Sequence, residues 1–188
     1  MIGVAGCGGS PSTESEPTIG HEPVMVFSVH PEWILTEPKA FDIDPETPLT
    51  GALEALGSHL SATYFKRDGE EAGDQGGVRF AISALTTVPA GNRWLQVATI
   101  DLIDPRQTAL RDFFQGSTGA QGTYFLLAAT FLQPQRTVPL IDGMVLTYNG
   151  EPFPVMDHVQ LRDIIVPGGA LRRTVTQALL RTGASADL

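Results

Sequence analysis

Val78-Arg79-Phe80-Ala81-Ile82-Ser83-Ala84 decides how this chain folds. Val78, Phe80, Ile82 and Ala84 alternate with Arg79, Ala81 and Ser83, the two-residue period of a strand that buries one face. Pro89-Ala90-Gly91-Asn92 follows as a turn signal. Trp94 to Ile103 is then apolar at enough positions on both faces to sit centrally in a sheet. Together they predict an antiparallel hairpin.

Working outward, Val24 to Val29 is a short β-prone run. Pro31, Pro38, Pro45 and Pro48 then predict an extended, irregular connection from 30 to 48. Leu49, Leu53, Leu56 and Leu60 share one face of a helix that ends near Tyr64. Asp44 or Thr47 is suited to cap it, with Pro45 or Pro48 in its first turn. Lys66 to Gly77 is polar and glycine-rich, the composition of a mobile loop.

Beyond the hairpin, Pro105 opens a short helix over 107–115, and Gly116-Ser117-Thr118-Gly119 is expected to break it. Ala120 to Leu132 is apolar on most sides, as in a buried helix. Thr137 to Ile141 and Met144 to Tyr148 read as strands, and Asn149-Gly150 is a favoured tight turn. Gly168-Gly169 precedes a last candidate helix over 170–181. The expected fold class is α/β: a small mixed sheet of three to four strands with two helices packed on one face.

A chain of 188 residues with 42% hydrophobic and 18% charged residues suits one globular domain with tails. Of the net charge of −9, residues 1–46 carry −7, from eight acids against Lys39 alone. Lys and Arg are scattered elsewhere apart from Arg172-Arg173, which argues against nucleic acid as a partner. No run approaches the ~18 apolar residues of a membrane-spanning helix.

Attachment to a membrane is expected by another route. Cys7, the single cysteine, closes Val4-Ala5-Gly6-Cys7, the form of a bacterial lipobox, in which a signal peptidase cuts before the cysteine and a lipid is attached to its sulfur. Met1-Ile2-Gly3 lacks the basic and apolar leader of a signal peptide, which leaves three readings: a true start upstream of Met1, a trimmed chain, or an accidental match to the lipobox. Gly8 to Pro17 reads as a solvated tether, and residues 1–22 as leader remnant and disordered tether.

Four pieces in order resemble the GerMN domain of bacterial sporulation, spore germination and envelope lipoproteins. They are the helix Leu49 to Leu56, the strand and turn Ile82 to Gly91, the strand Val97 to Leu102, and the helix Gly119 to Gln133 leading to Val138–Pro152. In the last, Tyr148-Asn149-Gly150-Glu151-Pro152 looks like the family's closing hairpin. The resemblance covers 24–155 and leaves 156–188 as a C-terminal extension. It implies a lipid-anchored binding module on the extracytoplasmic face of the cell membrane. It implies no catalytic residues and no cofactor. An exposed sheet edge is the expected surface for an envelope protein or a peptidoglycan component.

Other chemistry has less support. His21, His30, His59 and His158 share no metal-ligand spacing. Asp42, Asp44 and Glu46 lack the glycine and distant glutamate of a calcium loop and suit a helix N-terminus. Asp101 and Asp104 sit too near a strand end and proline turn to form an acid/base pair. Gly116, Ser117, Thr118, Gly119 and Gln121 mark the alternative function, a small-ligand or anion site at a helix N-terminus, though the same residues also suit capping.

Overall fold

Two residues, Gly91 and Asn92, close the central hairpin, and Gly91 takes φ +64°. Glycine at the first position of a two-residue turn is the II′ geometry, whose twist matches that of the flanking strands. The strands therefore continue through Pro89 and Ala90, where sequence reading placed a turn. They are β3 (Arg79–Ala90) and β4 (Arg93–Ile103), antiparallel from Arg79 opposite Ile103 to Ala90 opposite Arg93. This is a computed structural model, and it describes residues 16–30, 34–66, 77–156, 159 and 161–181.

Before the hairpin come β1 (Val24–Val29), β2 (Leu35–Phe41) and α1 (Leu49–Thr63). After it come α2 (Ala109–Phe113), α3 (Gly116–Leu132), β5 (Gly143–Tyr148), β6 (Glu151–Pro152) and α4 (Gly169–Arg181). The fold is α/β, with a four-stranded mixed sheet in the order β3-β4-β5-β6 and a separate two-stranded sheet, β1-β2. β4 and β5 run parallel, joined by a crossover through α2 and α3. Ala98, Ile100 and Leu102 of β4 and Met144 and Leu146 of β5 share one core with the apolar faces of α1 and α3. Each such fully buried Leu or Ile contributes roughly 1.5–3 kcal/mol. α1 lies so close to the sheet that a Cβ on Gly57 would sit 2.7 Å from Phe80 Cβ.

Several expectations change in three dimensions. Pro48 is the N-cap of α1 and has no side-chain group to offer. Glu16 supplies the cap instead, accepting the Thr50 N–H at 2.6 Å and the Thr50 hydroxyl at 2.5 Å. Asp44 is occupied locally, taking the Glu46 N–H at 2.9 Å. Residues 16–22 are accordingly folded chain, not tether: Ile19 is in the core, and Thr18 bridges to Pro48. The proline-rich connection contains β2, with Pro38 inside a strand that among the described residues pairs with β1 alone.

The short helix does end before Gly116-Ser117-Thr118-Gly119, but these four residues form the first turn of α3, which starts at Gly116 and not at Ala120. Gly116, at φ +65°, makes the corner from α2, after which the small residues continue helically. Residues 137–141 form no strand, although Leu140 and Ile141 are buried; Pro139 can donate no ladder bond there. At the far end, Leu161, Ile165, Leu171 and Val175 enter the common core. Ile165 exchanges main-chain bonds with Met144 at 2.8 and 2.9 Å, and α4 packs on β2 and α3.

Candidate functional site

The five positions nominated at the start of α3 share its first two turns. Ser117, Thr118 and Gln121 are exposed and Gly119 is buried. Gln115, the N-cap, makes no side-chain cap bond. A cavity of about 410 Å³ lies alongside, lined by Leu110, Arg111, Phe114, Gly116, Val155 and Met156, among others. Gly116 alone of the five reaches it. Arg111 is already engaged, with Nε and Nη2 both 3.0 Å from Asp112 Oδ1. The helix start thus lacks a side-chain cap from Gln115 and gathers none of its nominated side chains around the cavity.

The two aspartates are used by the fold. Asp104 is fully buried, accepting the Ala109 N–H at 2.6 Å and the Tyr148 hydroxyl at 2.8 Å. Asp101 accepts the Thr147 hydroxyl at 2.7 Å and the Gly150 N–H at 2.9 Å. Both hold the Asn149-Gly150 turn, whose φ values of +52° and +79° are those of type I′. His59 lines a cleft of about 250 Å³ between α1 and the β1-β2 sheet, with its ring edge-on to Phe41 at 5.4 Å. Burial pushes its pKa below the usual histidine value. His21 and His30 are exposed, and His158 and Cys7 lie outside the described residues. Among the described residues no three His, Cys, Asp or Glu side chains cluster to hold a metal ion. No described helix is long and apolar enough to cross a membrane.

The β3 edge is the surface with the clearest recognition geometry. In a two-residue hairpin the pair flanking the turn is hydrogen bonded, and bonded and non-bonded pairs then alternate. Counting back from Ala90 and Arg93, the non-bonded pairs are Pro89–Trp94, Thr87–Gln96 and Leu85–Ala98. Gln96 agrees: its N–H goes to Asp142 Oδ2 and its C=O takes the Asp142 N–H, both at 2.9 Å and both away from β3. Leu85 and Thr87 therefore turn an N–H and a C=O outward, and Pro89 a C=O alone. Among the described residues β3 pairs with β4 only. Trp94, opposite Pro89, is 68% exposed near the hairpin tip.

Sequence reading missed two residues just past α3. Gln133 follows the last residue of the apolar helix. It is fully buried at φ +49°, and its amide pairs with both main-chain groups of Met25 at 2.7 and 2.8 Å, taking the place of a third strand beside β1. Arg136 is buried as well, with Nη2 donating to the Ile19 carbonyl at 2.6 Å. Gln133 is also the left-handed C-cap of α3, its amide donating to the Thr130 carbonyl at 2.7 Å, but the bonds that tie the two residues to the rest of the fold span 108 and 117 residues. A scan against protein-family models, a search of curated proteins and a search of solved structures each returned no match.

Proposed function

We propose that this chain is a non-enzymatic, GerMN-like binding module, held by a lipid on Cys7 at the extracytoplasmic face of the cell membrane. Its β3 edge receives an extended segment of an envelope protein. The observation that carries this reading is the outward main chain of Leu85 and Thr87 beside the exposed ring of Trp94. Strand addition of this kind draws affinity from main-chain bonds and specificity from neighbouring side chains. At about 1 kcal/mol net per hydrogen bond, so short a stretch binds weakly alone. Trp94 supplies the large amphipathic anchor that such an interface needs. The bulge between Ile82 and Ala84 and the proline at 89 limit pairing to the stretch between them, which keeps the edge from indiscriminate self-association.

The test uses the protein expressed from its natural gene and cross-linked in intact cells. A partner captured by wild type and lost in Thr87→Pro, with unchanged thermal stability, supports the edge. Equal capture by both proteins overturns it. Cys7→Ser should move the protein from the membrane to the soluble extracytoplasmic fraction, and continued membrane retention rejects the lipid anchor. The alternative, a small ligand at Gly116 to Gln121, has weaker support because Gly116 is the one nominated residue lining the adjacent cavity.

A further inference from the structure

The four-stranded sheet has a second face that no described helix covers. Ala98, Ile100 and Leu102 of β4 point into the common core with α1 and α3, while α4 packs on β2 and α3. By alternation Leu95, Val97 and Thr99 point the other way. Their register partners share that outer face: Val88, Thr86 and Ala84 from β3, and Gly143 and Val145 from β5. A sheet face turned to water is ordinarily polar, giving a clean alternation along each strand. Here the central outer rows hold small and apolar residues and no charged side chain. Thr86 is exposed, and Ala84, Val88 and Val145 are partly so.

The outer face has relief. Leu95 and Val97 are 7% and 2% exposed, yet neither belongs to the common core. A Cβ on Gly143 would meet Ile164 Cγ2 at 2.8 Å and Val166 Cγ1 at 3.4 Å. Met144 points into the core, so these two side chains lie on the outer side of Gly143, beside Val97. Ile164 and Val166 are themselves each 43% exposed. They form a raised apolar ridge over the start of β5. On the other side of β4, the strip from Ala84 to Val88 carries only small or short branched side chains and lies lower.

Thr86, Val97 and Gly143 stand in one row of the sheet. β3 and β5 flank β4 at equal spacings of about 4.8 Å. A two-fold axis running along β4, between two facing copies, therefore sets the ridge of each copy over the low strip of the other. Such self-complementarity is what an interface between identical chains requires. We propose that this outer face binds the same face of a second copy of the chain. Ile164 and Val166 of each copy pack on Ala84, Thr86 and Val88 of the other. Facing sheets cross at about 30°, which keeps the central row in contact and moves the exposed Arg93 side chains apart at the hairpin tips. Three strands over about five such rows give a footprint of about 500 Å² per copy. The total of about 1,000 Å² is the lower limit for a specific interface, so the dimer is weak and concentration-dependent.

The experiment is sedimentation of the full chain from about 1 to 500 µM, in reducing buffer so that Cys7 cannot link copies. Wild type should pass from monomer to dimer with a Kd on the order of 10–100 µM. Val166→Asp and Thr86→Lys should each weaken the dimer about tenfold or more, with the wild-type circular dichroism spectrum retained. Mixed in equal amounts, the two variants should associate more tightly than either alone. One contact of the mixed dimer then joins opposite charges, and the other joins two unchanged residues. If Val166→Asp is poorly folded, Thr86→Lys, on an exposed strand position, decides alone. A wild type that stays monomeric throughout, or a dimer that both variants leave intact, overturns the proposal. A dimer lost in Thr87→Pro but kept in both face variants belongs to the β3 edge and overturns it equally. A mixture no tighter than the separate variants overturns the two-fold placement of Val166 over Thr86.

Discussion

The two borders of the four-stranded sheet are built in opposite ways. On the β5 side, β6 pairs with Thr147 and Tyr148, and Ile165 pairs with Met144, so the outer main chain is occupied along much of the strand. Asp101 and Asp104 then hold the turn that joins β5 to β6. On the β3 side no described strand is added, and Leu85 and Thr87 keep outward-facing groups. An open edge invites pairing and is usually shortened or shielded. Here one border is closed by packing, and the other is only restrained by a bulge and a proline. Changes at the closed border should therefore cost stability, and changes at the open border should cost binding.

The largest loss is expected at the closed border from Asp104→Ala. The variant leaves the Ala109 N–H and Tyr148 hydroxyl without their buried acceptor, at a cost of about 3 kcal/mol. That corresponds to a fall in Tm of about 6–12 °C for a chain of this size. A drop under a third of this would show that the turn is held mainly by main-chain bonds. Next is Gly143→Ala at the start of β5. The added Cβ would meet Ile164 Cγ2 at 2.8 Å and the Ile165 carbonyl at 3.3 Å, forcing apart the segment that covers the edge. A loss of about 1–3 kcal/mol is expected in urea unfolding. An unchanged midpoint would mean that the 164–166 segment yields freely.

The same contrast explains what was legible from sequence. The β3-β4 hairpin, the apolar face of α1, the buried α3 and most of β5 follow local periodicity, so they were readable residue by residue. β2 was hidden because Pro31 and Pro38 signal irregular chain, yet an edge strand tolerates a proline whose missing N–H has no ladder partner. Leu140 and Ile141 suggested a strand because they are apolar; their burial comes from tertiary packing without a ladder. Gly116 to Gly119 suggested a break because glycine punctuates chains; the break is there, but one positive φ at Gly116 makes it, and the other three residues are already helical. Gln133 and Arg136 reach Met25 and Ile19 across more than a hundred residues, which no local pattern records.

At the open border, Thr87→Pro removes one outward N–H without touching a bond to β4. Its unfolding free energy should stay within about 1 kcal/mol of wild type. Its capture of an extended partner should fall sharply, and Trp94→Ala should lower capture further with as little effect on folding. If Thr87→Pro unfolds the domain instead, Thr87 belongs to a bonded pair, and the outward register must shift by one residue.

The smallest effect concerns the support behind that open edge. α1 backs β3 through the Gly57–Phe80 approach, and its N-terminus is capped by Glu16 from the start of the described chain. Hydrogen bonds from Thr50 lower the Glu16 pKa from its ordinary 4.5. A depressed carboxylate pKa stabilises the folded state above the unfolded pKa, and that contribution is lost as pH falls through the folded value. Wild type should therefore be slightly more resistant to urea than Glu16→Gln at pH 7, with the two curves converging below about pH 4.5. A constant gap down to pH 3 would mean that Glu16 steadies α1 through packing of its neighbours Pro17 to Ile19, independent of its charge.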